Sequence, residues 1–232
     1  MIGNNKDTSF KCFNIANHYP VFDMLSEKEQ EKLAVASRVL KFKAGENIFK
    51  QGMPATSVFY IKEGLIKITK EGEQGQLNLN LLSSCNFLAL ATLGVVNDYI
   101  HSAYALVDSE VILMDTATLK HIMMLNAGFS NGMFRILSQE MVMLNERFYS
   151  LASKQMHGRM SDILLCLSKR IYKSNKFQLQ LTRKDLGDLS GMAKESVVRV
   201  LKDLEKFKLI QVNNKNIEIL DQEGLIDFSN RG

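Results

Sequence analysis

The stretch LTRKDLGDLSGMAKESVVRVLKDLEKFKLI, residues 181–210, predicts two short helices joined by a tight turn. Thr182 can cap a first helix over about 183–190, because a Thr oxygen accepts from the free backbone N–H groups of a first turn. Gly187 is small enough for a second helix to cross closely, and Gly191 tolerates the positive φ that the turn needs. The pattern is typical of a helix-turn-helix.

The predicted second helix, over about 193–207, has an apolar face and a charged face. Helical spacing places four aliphatic residues on the inner face, namely Val197, Val200, Leu201 and Leu204. The same spacing places four charged residues on the outer face, namely Glu195, Arg199, Lys202 and Lys206. Such a helix enters the major groove of DNA with its N-terminal half leading, so the stretch predicts a DNA-binding protein.

Individual side chains of this motif can be matched to parts of a DNA duplex. Arg199 can bond bidentately to guanine, and Glu195, one turn earlier, can accept from a cytosine amino group. Thr182, Arg183 and Ser196 are expected to meet phosphates. The full set of expected DNA-binding residues is Thr182, Arg183, Lys194, Glu195, Ser196, Arg199 and Lys202. The alternative is that Glu195 and Arg199 form only an exposed ion pair along one helix, which contributes little to stability.

The charge distribution favours a polyanion as partner. The chain has 232 residues and a formal net charge of +4. Residues 154–215 hold 14 Lys and Arg against 6 Asp and Glu, a net of +8, so the remainder carries a net of −4. A basic segment on a mildly acidic body indicates that this segment binds nucleic acid.

The N-terminal half predicts an antiparallel β-structure. Between about 38 and 115, short apolar runs such as SVFYIKEG and LIKITKEG are separated by Gly and Asn. This spacing suits a sandwich or a barrel. A short helix is expected just before it, where Ser26 and Glu29 can form a capping box.

A long helix is expected between the two halves, over about 126–157. A heptad-like stripe runs along it, made of Leu137, Met141, Leu144, Phe148 and Leu151. The stripe predicts a homodimer, although a helix packed on its own domain would show the same pattern. The expected division of the chain is a β-domain at 1–125, the dimerisation helix at 126–157, and a helical domain with the hairpin LIQVNNKNIEIL at 158–232.

Composition argues against several other classes of protein. Cys12, Cys85 and Cys166 lack the close spacing of disulfide, zinc or iron–sulfur sites, and the four scattered histidines supply no metal cluster. No apolar run approaches the length of about 18 residues that a membrane helix needs. The first residues lack the pattern of a secretory signal. A cytoplasmic protein without metal or other cofactor is expected.

These motifs resemble the Crp/Fnr family, the cyclic-AMP-receptor/Fnr-type transcription regulators, over about residues 20–222. The resemblance rests on FKAGENIFKQGMPATSVFYIKEGLIKI, on GRMSDILLCLS and on the helix-turn-helix stretch. It implies an α+β fold with an N-terminal β-roll of the cyclic-nucleotide-binding type (a double-stranded β-helix), a long dimerisation helix and a C-terminal winged helix-turn-helix. By position, Lys194, Glu195 and Arg199 match the family's base-reading residues. The resemblance implies a regulator and not an enzyme, with double-stranded DNA as partner and RNA polymerase as a candidate partner.

The chain departs from the family's nucleotide binders at the sensor site. Those members hold the ribose with a Gly-Glu pair and neutralise the phosphate with Arg followed by Ser or Thr, where this chain has Asn86-Phe87 and His101-Ser102. A neutral His is a weak partner for a phosphate, so no control by cyclic AMP is expected. The candidate pocket for some other, unknown effector comprises Phe87, Leu88, Ala89, His101 and Ser102. The oxygen-sensing members carry an N-terminal cysteine cluster, of which only Cys12 is present here.

Three alternatives stay open. The first is a cyclic-nucleotide-responsive regulator of the same fold. The second is a nucleotide-binding module that acts on partner proteins, which would need no groove-reading helix. The third is a cupin-like enzyme, whose metal site needs several histidines on neighbouring strands, whereas the β-region offers only His101. A gel shift with genomic DNA separates a regulator from the last two.

Overall fold

The computed structural model describes residues 20–73 and 75–231, so Cys12 lies outside the described residues. The first elements are a short 3₁₀ helix, Val21–Met24, and helix α1, Glu27–Val35. The predicted capping box of α1 is present, because the backbone N–H of Ser26 donates to the Glu29 carboxylate over 2.8 Å. This bond gives a partner to a donor at the helix start that would otherwise have none.

The described part of the N-terminal half forms two four-stranded antiparallel sheets. The strands are β1 (Ser37–Phe42), β2 (Asn47–Phe49), β3 (Ser57–Glu63), β4 (Leu65–Gly72), β5 (Gly75–Ser83), β6 (Phe87–Leu88), β7 (Ser102–Ala105) and β8 (Ser109–Asp115). One sheet has the order β1-β8-β3-β6 and the other β2-β7-β4-β5. Ile61, Ile66 and Val111, drawn from both sheets, share one buried core. The predicted β-roll is confirmed.

Two helices follow the β-roll, α2 at Thr116–Leu125 and α3 at Ala127–Ser153. Asn126 separates them and caps α3, since its side-chain oxygen accepts from the backbone N–H of Phe129 over 2.8 Å. Phe129 and Met133, in the first turns of α3, are fully buried against the roll. The beginning of the long helix is therefore anchored to the N-terminal domain.

The long helix ends earlier than the sequence predicts. Its last residue is Ser153, because Lys154 and Gln155 adopt extended conformations with ψ of 149° and 168°. His157, the predicted last residue, belongs instead to the first turn of the next helix. Lys154 also donates to the carboxylate of Asp162 over 2.7 Å, which holds the two helices at this bend.

The C-terminal domain combines four helices with a small sheet. Its elements are α4 (Met156–Cys166), a π-helical turn (Leu167–Tyr172), β9 (Lys176–Gln178), α5 (Arg183–Ser190), α6 (Lys194–Lys206), β10 (Ile210–Asn213), β11 (Asn216–Ile219) and α7 (Gln222–Arg231). The predicted β10–β11 hairpin is confirmed. Strand β9 pairs with the free edge of β11 and was not predicted, because three residues are too few to show an alternating pattern.

The mixed fold class predicted from the sequence is confirmed, with a β-rich domain, a long helix and a helix-turn-helix domain in that order. None of the helices in the described ranges is long and apolar enough to cross a membrane.

Candidate nucleic-acid interface

Helix α5 begins at a capping box between Thr182 and Asp185. The hydroxyl of Thr182 accepts from the backbone N–H of Asp185 over 3.1 Å, and the backbone N–H of Thr182 donates to the Asp185 carboxylate over 2.9 Å. Burial raises the pKa of Asp185, but the hydrogen bonds from Thr182 and Lys67 outweigh burial and leave that pKa below its ordinary value. The charged carboxylate therefore holds Thr182 at the exposed start of α5.

Two glycines allow α5 and α6 to cross as the sequence predicts. Gly191 ends α5 in the left-handed region, with φ of 61°. A Cβ on Gly187 would lie 2.5 Å from the carbonyl oxygen of Met192, which is closer than van der Waals contact allows. Only glycine fits at this crossing, so the angle between the two helices is fixed by the backbone.

Helix α6 buries one face and leaves the other open, as its spacing predicts. The buried residues are Val197, Val200, Leu201 and Leu204. Of the predicted interface residues on this helix, Ser196 is half-buried and the exposed ones are Lys194, Glu195, Arg199 and Lys202. Within the part of the chain that the structure describes, Glu195 and Arg199 form no ion pair with each other. Both side chains are therefore available to a ligand.

Arg183 lies beside the hairpin rather than standing free at the start of α5. Its guanidinium donates to the backbone carbonyl of Asn214, in the turn between β10 and β11, over 3.1 Å. Burial lowers the pKa of Arg183, and the nearby charge of Glu205 opposes that change. The bond ties the start of α5 to the hairpin, so both present one continuous surface.

Sequence reasoning missed two cations next to this surface. Lys184, the second residue of α5, and Lys215, in the hairpin turn, are both exposed, but the Lys184 ammonium is directed to the roll, where it donates to the carbonyl of Gln76 in β5 over 3.3 Å. Neither lies on the outer face of α6, where the motif predicts the base-reading residues. Their signal in the sequence is their position next to the capping residue Thr182 and within the Asn-rich turn.

The three apolar residues of the candidate effector pocket are packed in hydrophobic cores. Phe87 lies against the rings of Phe22 and Tyr60, with centroids 5.7 and 5.1 Å away. Leu88 and Ala89 belong to the core between the two sheets. The neighbour Phe22 comes from a 3₁₀ helix far away in sequence, which no local pattern indicates.

The two polar residues of that candidate pocket lie at the start of β7, on the opposite sheet. The hydroxyl of Ser102 is buried and accepts from the backbone N–H of Gln51 over 2.9 Å. Burial lowers the pKa of His101, and the positive charge of Lys70 lowers it further, so the imidazole is neutral at pH 7. In residues 20–73 and 75–231 no group of three His, Cys, Asp or Glu side chains is close enough to hold a metal ion.

A carboxyl group lies on the face of α3 that is turned towards the roll. Glu140 follows Met133, which is buried against the roll, by two helical turns and precedes Arg147 by two more. The Arg147 guanidinium donates to the carbonyl of Leu79 in β5, which confirms that this face meets the roll. Burial raises the pKa of Glu140 to about 7.

Each half of the chain matches a known domain family. Residues 158–228 match the Crp-like helix-turn-helix domain and residues 39–126 match the cyclic nucleotide-binding domain. The transcriptional activator protein FnrA of Stutzerimonas stutzeri is 27% identical over 199 residues, which cover 82% of this chain and 80% of FnrA.

Solved structures give the same result for the fold. FixK2 from Bradyrhizobium japonicum superposes with a TM-score of 0.76 at 18% identity, over 83% of this chain and 96% of FixK2. A transcriptional regulator of the CRP/FNR family from Thermus thermophilus superposes with a TM-score of 0.68 at 26% identity, over 84% of this chain and 100% of that one. With both domains matched in order and the relatives covered over most of their length, the chain belongs to the Crp/Fnr family of transcription regulators, which carry a helix-turn-helix DNA-binding domain and are not enzymes.

Proposed function

We propose that the chain acts as a homodimer that binds an inverted-repeat DNA site and regulates transcription without control by cyclic AMP. The observation that carries this proposal is the outer face of α6, where Glu195 and Arg199 are exposed and not paired with each other. A groove-reading helix needs such uncommitted side chains within its first turns. The proposed division of the chain keeps the N-terminal β-roll domain at 1–125 and the winged helix-turn-helix domain at 158–232, and the dimerisation helix between them is α3, Ala127–Ser153.

The surface of α3 supports the homodimer. Four of the five stripe residues, Leu137, Met141, Leu144 and Phe148, are between 37% and 74% exposed in the single chain, and the fifth, Leu151, is half-buried. A contiguous apolar stripe of this kind is unfavourable in water and is typical of a helix that packs against a second copy. Because the beginning of α3 is already buried against the roll, the exposed stripe is left for a partner.

The proposed roles follow from position on the motif. Lys194, Glu195 and Arg199 contact base edges, and Thr182, Arg183 and Ser196 contact phosphates. Lys202 lies two turns after Glu195 along α6 and adds positive charge on the same face. Because a transcription regulator acts on chromosomal DNA, we expect the protein in the cytoplasm. RNA polymerase is a candidate partner.

Selection of bound duplexes from a random pool tests the proposal. The expected product is an inverted repeat whose half-sites lie about one helical turn apart, because a two-fold dimer presents two identical helices. The matched control is the chain with Glu195→Ala and Arg199→Ala, which keeps the fold and should enrich a weaker, less defined motif. Recovery of an asymmetric motif, or of none, would contradict the proposal.

Cyclic AMP is expected to bind no more tightly than 5′-AMP. The neutral His101 gives no fixed charge to a phosphodiester, and Phe87 is packed in a core. Calorimetric titration of the full chain with each nucleotide measures this difference. A dissociation constant for cyclic AMP in the low micromolar range would favour the alternative, a cyclic-nucleotide-responsive regulator.

A further inference from the structure

The helix-turn-helix is bonded to the β-roll as well as to its own domain. Lys67 of β4 donates to the carboxylate of Asp185 over 3.1 Å, and the two side chains are only 22% and 11% exposed. The backbone N–H of Asn78 in β5 donates to Asp188 of α5 over 3.0 Å. Leu65 of the roll also contributes to the hydrophobic core of the C-terminal domain. These contacts form a bridge between the β4–β5 hairpin and α5.

Helix α3 takes part in the same bridge. Arg147 donates both to the carbonyl of Leu79 in β5 and, over 3.1 Å, to the carbonyl of Leu189 at the end of α5. Arg147 precedes Phe148 of the exposed stripe in sequence. Arg147 therefore links α5 directly to α3, the helix that is proposed to lie at the dimer axis.

A second attachment lies at the bend between α3 and α4. Asp162 of α4 accepts from Ser150 over 2.6 Å and from Lys154 over 2.7 Å. A single attachment would allow the C-terminal domain to rotate about that point, whereas two separated attachments fix the orientation of the domain relative to the roll. The bridge to α5 supplies the second attachment, and its ion pair is partly shielded from water, where charge–charge attraction is stronger than at an open surface.

We propose that Lys67 is a positioning residue that, through Asp185, sets the separation of the two recognition helices and hence the half-site spacing that the dimer accepts. The inference rests on the proposed function, because spacing has meaning only for a dimer on an inverted repeat. Lys67 lies in β4 of the roll and is not among the residues proposed to contact DNA. Its loss is expected to leave the base preference within each half-site intact and to relax the geometry between the two.

The experiment measures binding of purified full-length protein to a set of duplexes. They carry the selected half-sites at the preferred spacing and at one or two base pairs more or fewer, and one duplex carries a single half-site. The quantity of interest is the ratio of affinities between the preferred and the altered spacings. For Lys67→Met, which keeps the aliphatic stem and removes the charge, this ratio is expected to fall at least about fivefold.

Two controls separate positioning from charge and from folding. Lys70→Met removes the same charge from the exposed end of the same strand and should keep the wild-type ratio. Lys67→Arg keeps a cation opposite Asp185 and should also keep the wild-type ratio of affinities. Asp188→Ala breaks a different bond of the bridge and should lower the ratio as Lys67→Met does, which serves as a second test if the first variant folds poorly.

The outcomes distinguish the two proposals. A wild-type protein that selects no inverted repeat, or shows no preference among spacings, contradicts the proposed dimeric function itself. A wild-type protein that prefers one spacing, together with Lys67→Met and Asp188→Ala variants that keep the same ratio or shift all affinities equally, overturns the positioning role alone.

Discussion

Replacing both Leu144 and Phe148 with Glu is expected to convert the protein into a monomer and to lower its affinity for a full inverted repeat at least about 100-fold. Both side chains are largely exposed in the single chain, so the substitutions bury no charge within the protomer. In the proposed dimer the same carboxylates would face their symmetry mates across the two-fold axis without partners. The large loss on DNA follows because the second half-site would no longer be bound by a linked domain.

Light scattering gives the mass of the particle, and a titration of labelled duplex gives the affinity. The matched control is Val95→Glu, since Val95 is an apolar residue of the roll that is 86% exposed and lies outside α3. That variant should stay dimeric and bind normally. A double variant that remains a dimer, or a wild-type protein that is a monomer at micromolar concentration, would contradict the proposed interface.

The helix-turn-helix could be predicted from the sequence because its determinants are local. Thr182 caps within one turn, Gly187 and Gly191 act through the backbone at their own positions, and the α6 stripe repeats every three to four residues. Each signal lies within the 30-residue stretch that contains the motif. Local pattern and final structure agree there for that reason.

Features that depend on distant contacts could not be predicted in the same way. Lys67 and Asp185 are 118 positions apart, and nothing in the sequence around either residue indicates the other. The early end of α3 coincides with the bond from Lys154 to Asp162 of the next helix. Phe87 is assigned to the candidate effector pocket because it stands where the family's nucleotide binders have Glu. The sequence could not reveal that Phe22 packs against it.

Arg199→Ala is expected to weaken binding to the best site by about 1–3 kcal/mol and to relax the preference at one G·C pair in each half-site. Arg199 is exposed on the outer face of α6, which the proposed binding mode sets against base edges. Glu195→Ala is expected mainly to blur specificity, because a carboxylate adds no attraction to phosphates and its role is to reject wrong bases. Lys206→Ala is the matched control, since Lys206 lies at the far end of α6 and is paired with Asp203.

Arg183→Ala is expected to behave differently from either change on α6. A phosphate contact carries no sequence information, so its loss should weaken all duplexes alike and reduce the salt dependence by about one counterion per subunit. The bond from Arg183 to the carbonyl of Asn214 adds a second effect in the same direction, because its loss frees the hairpin turn from α5. Binding to single-base variants of the selected site at two salt concentrations separates these outcomes.

If Arg199→Ala weakened every variant equally, Arg199 would be a phosphate contact and the reading face of α6 would be assigned wrongly.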